Sequence, residues 1–422
     1  MNLLIICPHF RPDTAPTGDV MTSIVDELAA RGHRLHVITA LPWYQHHRVE
    51  EGWTGKWSRT EETEWGFITR LHPFPTDKSN IPARAIAFGG FTALATASGL
   101  RPKFRPDAVL AMSPPLILGI SGAIVARRWR VPFVFNIQDV FPDVAVEVGA
   151  IVNPAVIATA SWLERTLYRL SDAVTVLSED LRENLTAKLG RHRPERVQVI
   201  PNFVDTDRVH PQSVETAYRR EFGLEGSIVI MYAGNLGYSQ PVELLLDAAA
   251  AMRDESEVRF VINGGGSARA GLERRAAGLE NVTFVGMQPK ERLSEVLASA
   301  DIHTVLLKEG LARSSVPSKL YSILAAARPC VASVDPGTEV ARTLADADAG
   351  VSVGPGDAEA LTKALRGLAG DAAERIRLGR NGRRWVEAWM SPAAVAESYE
   401  LLFQEQIDRR VRRNPPHRMR GG

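Results

Sequence analysis

The feature that most constrains this chain is a twofold series of short apolar runs separated by stretches of helical periodicity. The first series runs Leu3–Ile6, Val20–Arg31, Leu35–Ile38, Ala108–Met112 and Phe133–Ile137. It continues with a helical Leu163–Leu170, an apolar Ala173–Leu177, a helical Glu179–Leu189 and Val197–Ile200. Alternation of strand-length and helix-length segments predicts parallel sheets covered by helices, an α/β architecture. Pro201-Asn202-Phe203-Val204-Asp205 interrupts it as an interdomain linker. A second series follows: Ile228–Tyr232, helix Val242–Met252, Arg259–Ile262, helix Ala268–Gly278, Val282–Val285 and helix Leu293–Ala300. A chain of 422 residues fills two such cores more readily than one. The expected division is a Rossmann-like domain over residues 1–203 and a second over 204–390. A helix over 391–407 follows, leading back to the first domain, and then a basic, disordered tail over 408–422.

Lys and Arg total 50 against 49 Asp and Glu, so no global field steers the molecule onto nucleic acid. The two cysteines, Cys7 and Cys330, sit in apolar runs and offer neither a disulfide framework nor a thiolate metal site, which fits a reducing cytoplasm. His33, His36, His46 and His47 show no ligand spacing, and no metal is expected. Ala108–Ala126 is uncharged and long enough to suggest a membrane span. Pro114-Pro115 at its centre and Arg127-Arg128 at its end instead predict strand, turn and buried helix. Trp43, Trp53, Trp57 and Trp65, with Arg84–Phe91 and Arg101, Lys103 and Arg105, read either as a bilayer-facing surface or as a packed aromatic loop.

Several motifs fall where a strand gives way to a helix. Thr17-Gly18-Asp19 opens a helix after the first strand. Gly18 is either a turn residue or a close approach to phosphate. No G-x-G-x-x-G follows that strand, against a dinucleotide-dependent dehydrogenase. Asn263-Gly264-Gly265-Gly266 after Arg259–Ile262 lets backbone approach a ligand at the carboxyl edge of a parallel sheet, or relaxes a mobile loop, and Arg269 lies near it. Ala233-Gly234-Asn235-Leu236-Gly237 occupies the equivalent place after Ile228–Tyr232. In the stretch from Lys308 to Lys319, Pro317 and Ser318 read as helix-start residues bringing N–H groups and Lys319 together. A diphosphate fits there, with Lys319 and Arg313 stabilising its charge. The alternative is Lys319 as a solvated helix charge.

Leu28-Ala-Ala-Arg-Gly-His-Arg-Leu-His-Val-Ile-Thr39, Val199-Ile-Pro-Asn-Phe-Val-Asp-Thr-Asp207 and Ala233-Gly-Asn-Leu-Gly237 resemble glycosyltransferase family 4. So do Asn281-Val-Thr-Phe-Val-Gly286, Ala300-Asp-Ile302, Pro317-Ser-Lys-Leu-Tyr321 and Ala325-Ala-Ala-Arg-Pro329, in the same order. The likeness spans most of the chain and is greatest to the bacterial fucosamine transferases of surface-polysaccharide assembly. It implies a GT-B fold, two Rossmann-like domains with parallel sheets facing a central cleft, retention of anomeric configuration and no cofactor or required metal. It implies a nucleoside-diphosphate-sugar donor, with UDP expected, and a polyprenyl-linked or other glycan acceptor handled by a cytoplasmic protein with peripheral membrane contact.

On this resemblance Lys319, Arg313, Asp139 and Gln138 are the catalytic candidates. Gly18, Asn235, Gly237, Gly264, Gly265, Gly266, Arg269, Met287, Glu309, Ser314, Ser318 and Ser322 are the donor-binding ones. Two departures stand out. Ser314 and Ser322 occupy the positions of the two family glutamates, which leaves ribose recognition to serine hydroxyls or to Glu309. Gln138 replaces a histidine common in relatives, with Asp139 beside it to orient or deprotonate the acceptor hydroxyl, or only to cap a loop. A sugar-nucleotide 2-epimerase and an inactive transferase homologue acting as a binding protein are the rival readings.

Overall fold

The computed structural model describes residues 1–13, 15–44, 48–76, 81–147, 151–190, 194–237, 240–310 and 319–413. The chain forms two compact units, Met1–Pro201 with Val395–Gly422, and Asn202–Ala394. The first therefore regains the chain at its carboxyl end.

The first unit is built on an eight-stranded sheet of β1 (Asn2–Ile6), β2 (Arg34–Ala40), β3 (Ser58–Thr63), β4 (Gly66–Leu71), β5 (Ala108–Ser113), β6 (Phe133–Ile137), β7 (Ala173–Val176) and β8 (Val197–Val199). The order is β3-β4-β2-β1-β5-β6-β7-β8. All neighbours are parallel except β3 and β4. The central strands are buried on both faces, β5 and β6 throughout, which is why they read as continuous apolar runs. The helix Pro154–Leu170 starts where Asn153 accepts from the Ala155 and Val156 N–H groups and Pro154 supplies the first turn. Ser178 likewise caps Glu179–Leu189. Segment 108–126 divides as expected into β5 and the start of the helix Leu118–Trp129. No helix among the described residues is long and apolar enough to cross a membrane.

Several elements of this unit lie outside the sequence reading, β4 among them. The polar strand β3 pairs antiparallel with β4 at the sheet edge, and a helix spans Ile81–Gly99. Part of the Trp-rich region is packed: Trp53 lies under the guanidinium groups of Arg59 and Arg70, at 4.7 and 5.1 Å. Trp57, by contrast, is 67% exposed.

The second unit carries a six-stranded, all-parallel sheet in the order β11-β10-β9-β12-β13-β14. Its strands are β9 (Ile228–Ala233), β10 (Val258–Asn263), β11 (Val282–Val285), β12 (Ile302–Leu306), β13 (Cys330–Ser333) and β14 (Gly350–Val353). Arg219 is fully buried beneath it, donating to the Ser299 and Ser227 carbonyls and to the Asp301 carboxylate, so its charge is matched on every side.

The last helix, Pro392–Arg413, runs on past the expected start of the tail, and residues 408–413 are helical. Gln404 bonds Asp408, Glu405 pairs with Arg409, and Arg410 reaches Asp172, so the basic stretch has acidic partners that its own composition does not show. Tyr399 on this helix is fully buried. Its hydroxyl accepts from Asn136 Nδ2 of β6 at 2.8 Å and lies 3.3 Å from Thr175 Oγ1 of β7.

Candidate functional site

In each sheet the strand order reverses direction at one point, between β1 and β5 in the first unit and between β9 and β12 in the second. Loops leaving the carboxyl ends of strands diverge there and open a crevice in which ligands of open α/β sheets bind.

In the second unit the loops after β9 and β10 are zipped together. Gly234 N–H donates to Asn263 O and Leu236 N–H to Gly265 O, at 2.9 and 2.8 Å. This contact requires the glycines. A Cβ at Gly264 would fall 1.9 Å from the Gly234 carbonyl oxygen, and one at Gly266 would fall 2.3 Å from that of Leu236. Gly265 differs, because a Cβ there would meet nothing within 4 Å. Two of the three glycines thus serve loop packing, and the third presents open backbone. At Gly237 a Cβ would lie 2.8 Å from Asn235 Nδ2, and the Asn235 side chain is exposed.

Lys319 opens the short helix Lys319–Ala325 and is partly buried. Its ammonium lies 4.2 Å from the centre of the Tyr232 ring and donates to the Tyr232 hydroxyl at 3.1 Å, while that hydroxyl donates to Asn235 O at 2.7 Å. A Cβ at Gly234 would sit 3.9 Å from the ammonium nitrogen. Lys319 is thus held directly beside the loop after β9. Removal from water lowers its pKa to about 8. A cation held out of water with no acidic partner among the described residues has the charge to receive an anion. Tyr232 is the residue that the sequence reading missed here, since as the inward-facing end of β9 it reads only as core.

The remaining donor candidates divide. Arg269 donates to the carbonyls of Gly264 and Val285 at 2.7 and 3.2 Å and pairs with Glu273, so it braces the loop. Ser322 lies half-buried on the helix that begins with Lys319. Glu309 is exposed just past β12, and Met287 just past β11 is 65% exposed. Arg313, Ser314 and Ser318 lie outside the described residues.

In the first unit, the crevice is a cavity of about 360 Å³ lined by aromatic and proline side chains. Trp43, Tyr44, Phe88 and Phe91 form much of its wall, with Pro114 and Pro115 from the loop after β5 and Asp139 from the loop after β6. Asp139 is exposed to solvent. The walls beside it nonetheless raise its carboxyl above the ordinary range by desolvation. Gln138 points away into the core, donating to Asn136 Oδ1 at 2.8 Å, in the network that reaches Tyr399. Gly18 is buried, and a Cβ there would lie 3.0 Å from that of His9, so this glycine lets the helix Pro16–Ala30 pack against the loop after β1. That loop brings His9 into the cavity wall, its Nδ1 2.6 Å from Oδ2 of the buried Asp13. The pair has no signature motif, and only the fold shows it.

The profile of the Glycosyl transferase 4-like domain matches residues 17–202, and that of Glycosyl transferases group 1 matches residues 227–371. WcaI of Escherichia coli K12, assigned to colanic acid biosynthesis as a glycosyl transferase, is 28% identical over 87% of this chain and 91% of its own. A GDP-mannose-dependent alpha-mannosyltransferase of Mycobacterium tuberculosis is 26% identical over 72% of each chain. Among solved structures, HepE of Anabaena in complex with UDP superposes with a TM-score of 0.66 at 16% identity, covering 96% of this chain and all of that one. With both units matched in order and the fold shared, this chain is a glycosyltransferase and belongs to glycosyltransferase family 4, of GT-B architecture.

Proposed function

We propose that the protein transfers a sugar, with retention of configuration, from a nucleoside-diphosphate-sugar to a lipid-linked or other glycan acceptor in envelope polysaccharide synthesis. The observation that carries this reading is Lys319, a desolvated ammonium beside Gly234 in the loop after β9, at the switch point of the second sheet. Cleavage of the donor's glycosidic bond leaves negative charge on the distal phosphate, and a fixed cation in a dry site stabilises that charge without reorganising. Lys319 supplies it, so turnover requires no divalent metal and survives a chelator. Asp139 and the cavity of the first unit serve the acceptor. The relation to WcaI supports the pathway class, and the UDP complex of HepE supports UDP as donor base. The GDP-mannose-dependent relative makes GDP the competing base.

The test is thermal unfolding with UDP, GDP, TDP or no ligand. A nucleotide at about 100 times its Kd stabilises by about 2.7 kcal/mol. One base is expected to do so in the wild type, and the response is expected to vanish in Lys319→Ala. The same variant is expected to lose about 3 kcal/mol of barrier lowering, on the order of 100-fold in kcat. Wild-type indifference to every nucleotide would refute donor binding.

A further inference from the structure

The cavity of the first unit has a composition that selects its ligand. Among the described lining residues there is no lysine or arginine. The polar groups are His9, Thr17, Tyr44, Thr76 and Asp139, set among aromatic rings and prolines. A carboxylate in an apolar wall repels an anion, the described lining offers that anion no counter-charge, and aromatic faces accept the C–H faces of a sugar ring.

His9 adds a directional group. Its ring stacks on Trp43 at 5.7 Å and meets Tyr44 edge-on at 5.2 Å. Nδ1 is held at 2.6 Å by Asp13 Oδ2, and Asp13 is only 2% exposed. The other carboxylate oxygen, Oδ1, accepts the Tyr44 N–H at 3.0 Å, which fixes the orientation of the carboxylate. A carboxylate oxygen accepts, so Nδ1 carries the ring hydrogen, and with a single hydrogen on the ring Nε2 is an acceptor. Nε2 has no hydrogen-bond partner among the described residues.

We propose that this cavity binds an uncharged sugar ring of the acceptor and that His9, locked in its Nδ1–H tautomer by Asp13, accepts the hydrogen bond of an acceptor hydroxyl. The inference rests on the transferase reading and specifies its acceptor side. Asp13→Asn isolates the tautomer. The Tyr44 N–H still needs an oxygen, so the Asn amide NH₂ faces His9 Nδ1 and drives the hydrogen to Nε2. The ring then donates where it formerly accepted, with the shape of the cavity unchanged.

Saturation-transfer NMR on the full chain tests this with methyl N-acetylglucosaminide, methyl fucoside and methyl glucuronide as probes. The two neutral glycosides are expected to bind wild type at least tenfold more tightly than the glucuronide, and to bind Asp13→Asn about tenfold more weakly than wild type. Asp139→Asn, an exposed change that does not threaten folding, is expected to raise glucuronide binding about tenfold. Equal or preferred binding of the glucuronide, no binding of either neutral glycoside to wild type, or unchanged binding in a folded Asp13→Asn would each overturn the proposal. Nucleotide-induced stabilisation, measured on the same samples, reads donor binding separately. Its failure in wild type strikes the transferase reading, whereas its persistence in Asp13→Asn with glycoside binding intact strikes only this one.

Discussion

A lysine whose pKa is lowered to about 8 in the free protein makes nucleotide binding report on its own proton. A diphosphate against the ammonium favours the charged form and draws the pKa back up, so binding above pH 8 takes up a proton. If only the charged form binds, the apparent Kd scales inversely with the charged fraction. At pH 9, one unit above the pKa, about one site in eleven is charged, and affinity is about tenfold weaker than at pH 7, or about 1.4 kcal/mol. The second phosphate ionisation lies near pH 6, below this window, and contributes little. Isothermal titration at pH 8 in two buffers of different ionisation enthalpy is expected to show uptake of about half a proton per nucleotide. Lys319→Arg, with a side chain that keeps its proton, is expected to show neither the uptake nor the pH dependence. A wild-type Kd equal at pH 7 and 9, with no proton uptake at pH 8, would refute contact between Lys319 and phosphate.

Other substitutions separate structure from binding. Because the folded pKa of Lys319 lies below its unfolded value, its charging penalty is present at neutral pH and is released as pH rises from about 8 toward 10.5. Lys319→Met is accordingly expected to be more stable than wild type by about 1–3 kcal/mol at pH 7 in denaturant titration, an advantage that shrinks by pH 10, while nucleotide binding is lost. Gly264→Ala forces a methyl against the Gly234 carbonyl and is expected to cost at least about 2 kcal/mol of stability. Gly265→Ala meets nothing and is expected to leave the unfolding temperature unchanged while weakening nucleotide-induced stabilisation. Tyr399→Phe leaves the Asn136 amide short of an acceptor and is expected to cost about 1–2 kcal/mol, read as a shifted denaturation midpoint with unchanged nucleotide affinity.

The architecture was legible because buried parallel strands are apolar along most of their length, so β1, β5, β6, β9 and β10 stand out of the sequence unaided. Strand β3 did not, since Ser-Arg-Thr-Glu-Glu-Thr at an exposed sheet edge has no hydrophobic period to detect. The site was legible where backbone chemistry limits the choice of residue, as at Gly264 and Gly266. It was not legible where a side chain's role depends on what it meets. Arg269 beside three glycines suggests a phosphate ligand, yet its guanidinium is taken by carbonyls of its own loop. Gln138 suggested chemistry and instead faces the core. The partnership of His9 with Asp13 arises in an irregular loop, where spacing along the chain carries no geometric rule.

The hydrogen bond between Asn136 and Tyr399 joins residues 263 positions apart, with the whole of the second unit between them. At a translation rate of about 5–20 residues per second, roughly 13–50 s pass between synthesis of the two partners. Over that interval the sheet of the first unit exists without the helix that covers Asn136 and Thr175, whereas the second unit has every residue it needs as soon as Ala394 is made. The part of the molecule translated first is the last to be completed. A nascent chain stalled before Val395 would expose the polar notch of Asn136 and Thr175 among the apolar residues of β6 and β7, a surface for chaperones to hold until the closing helix arrives.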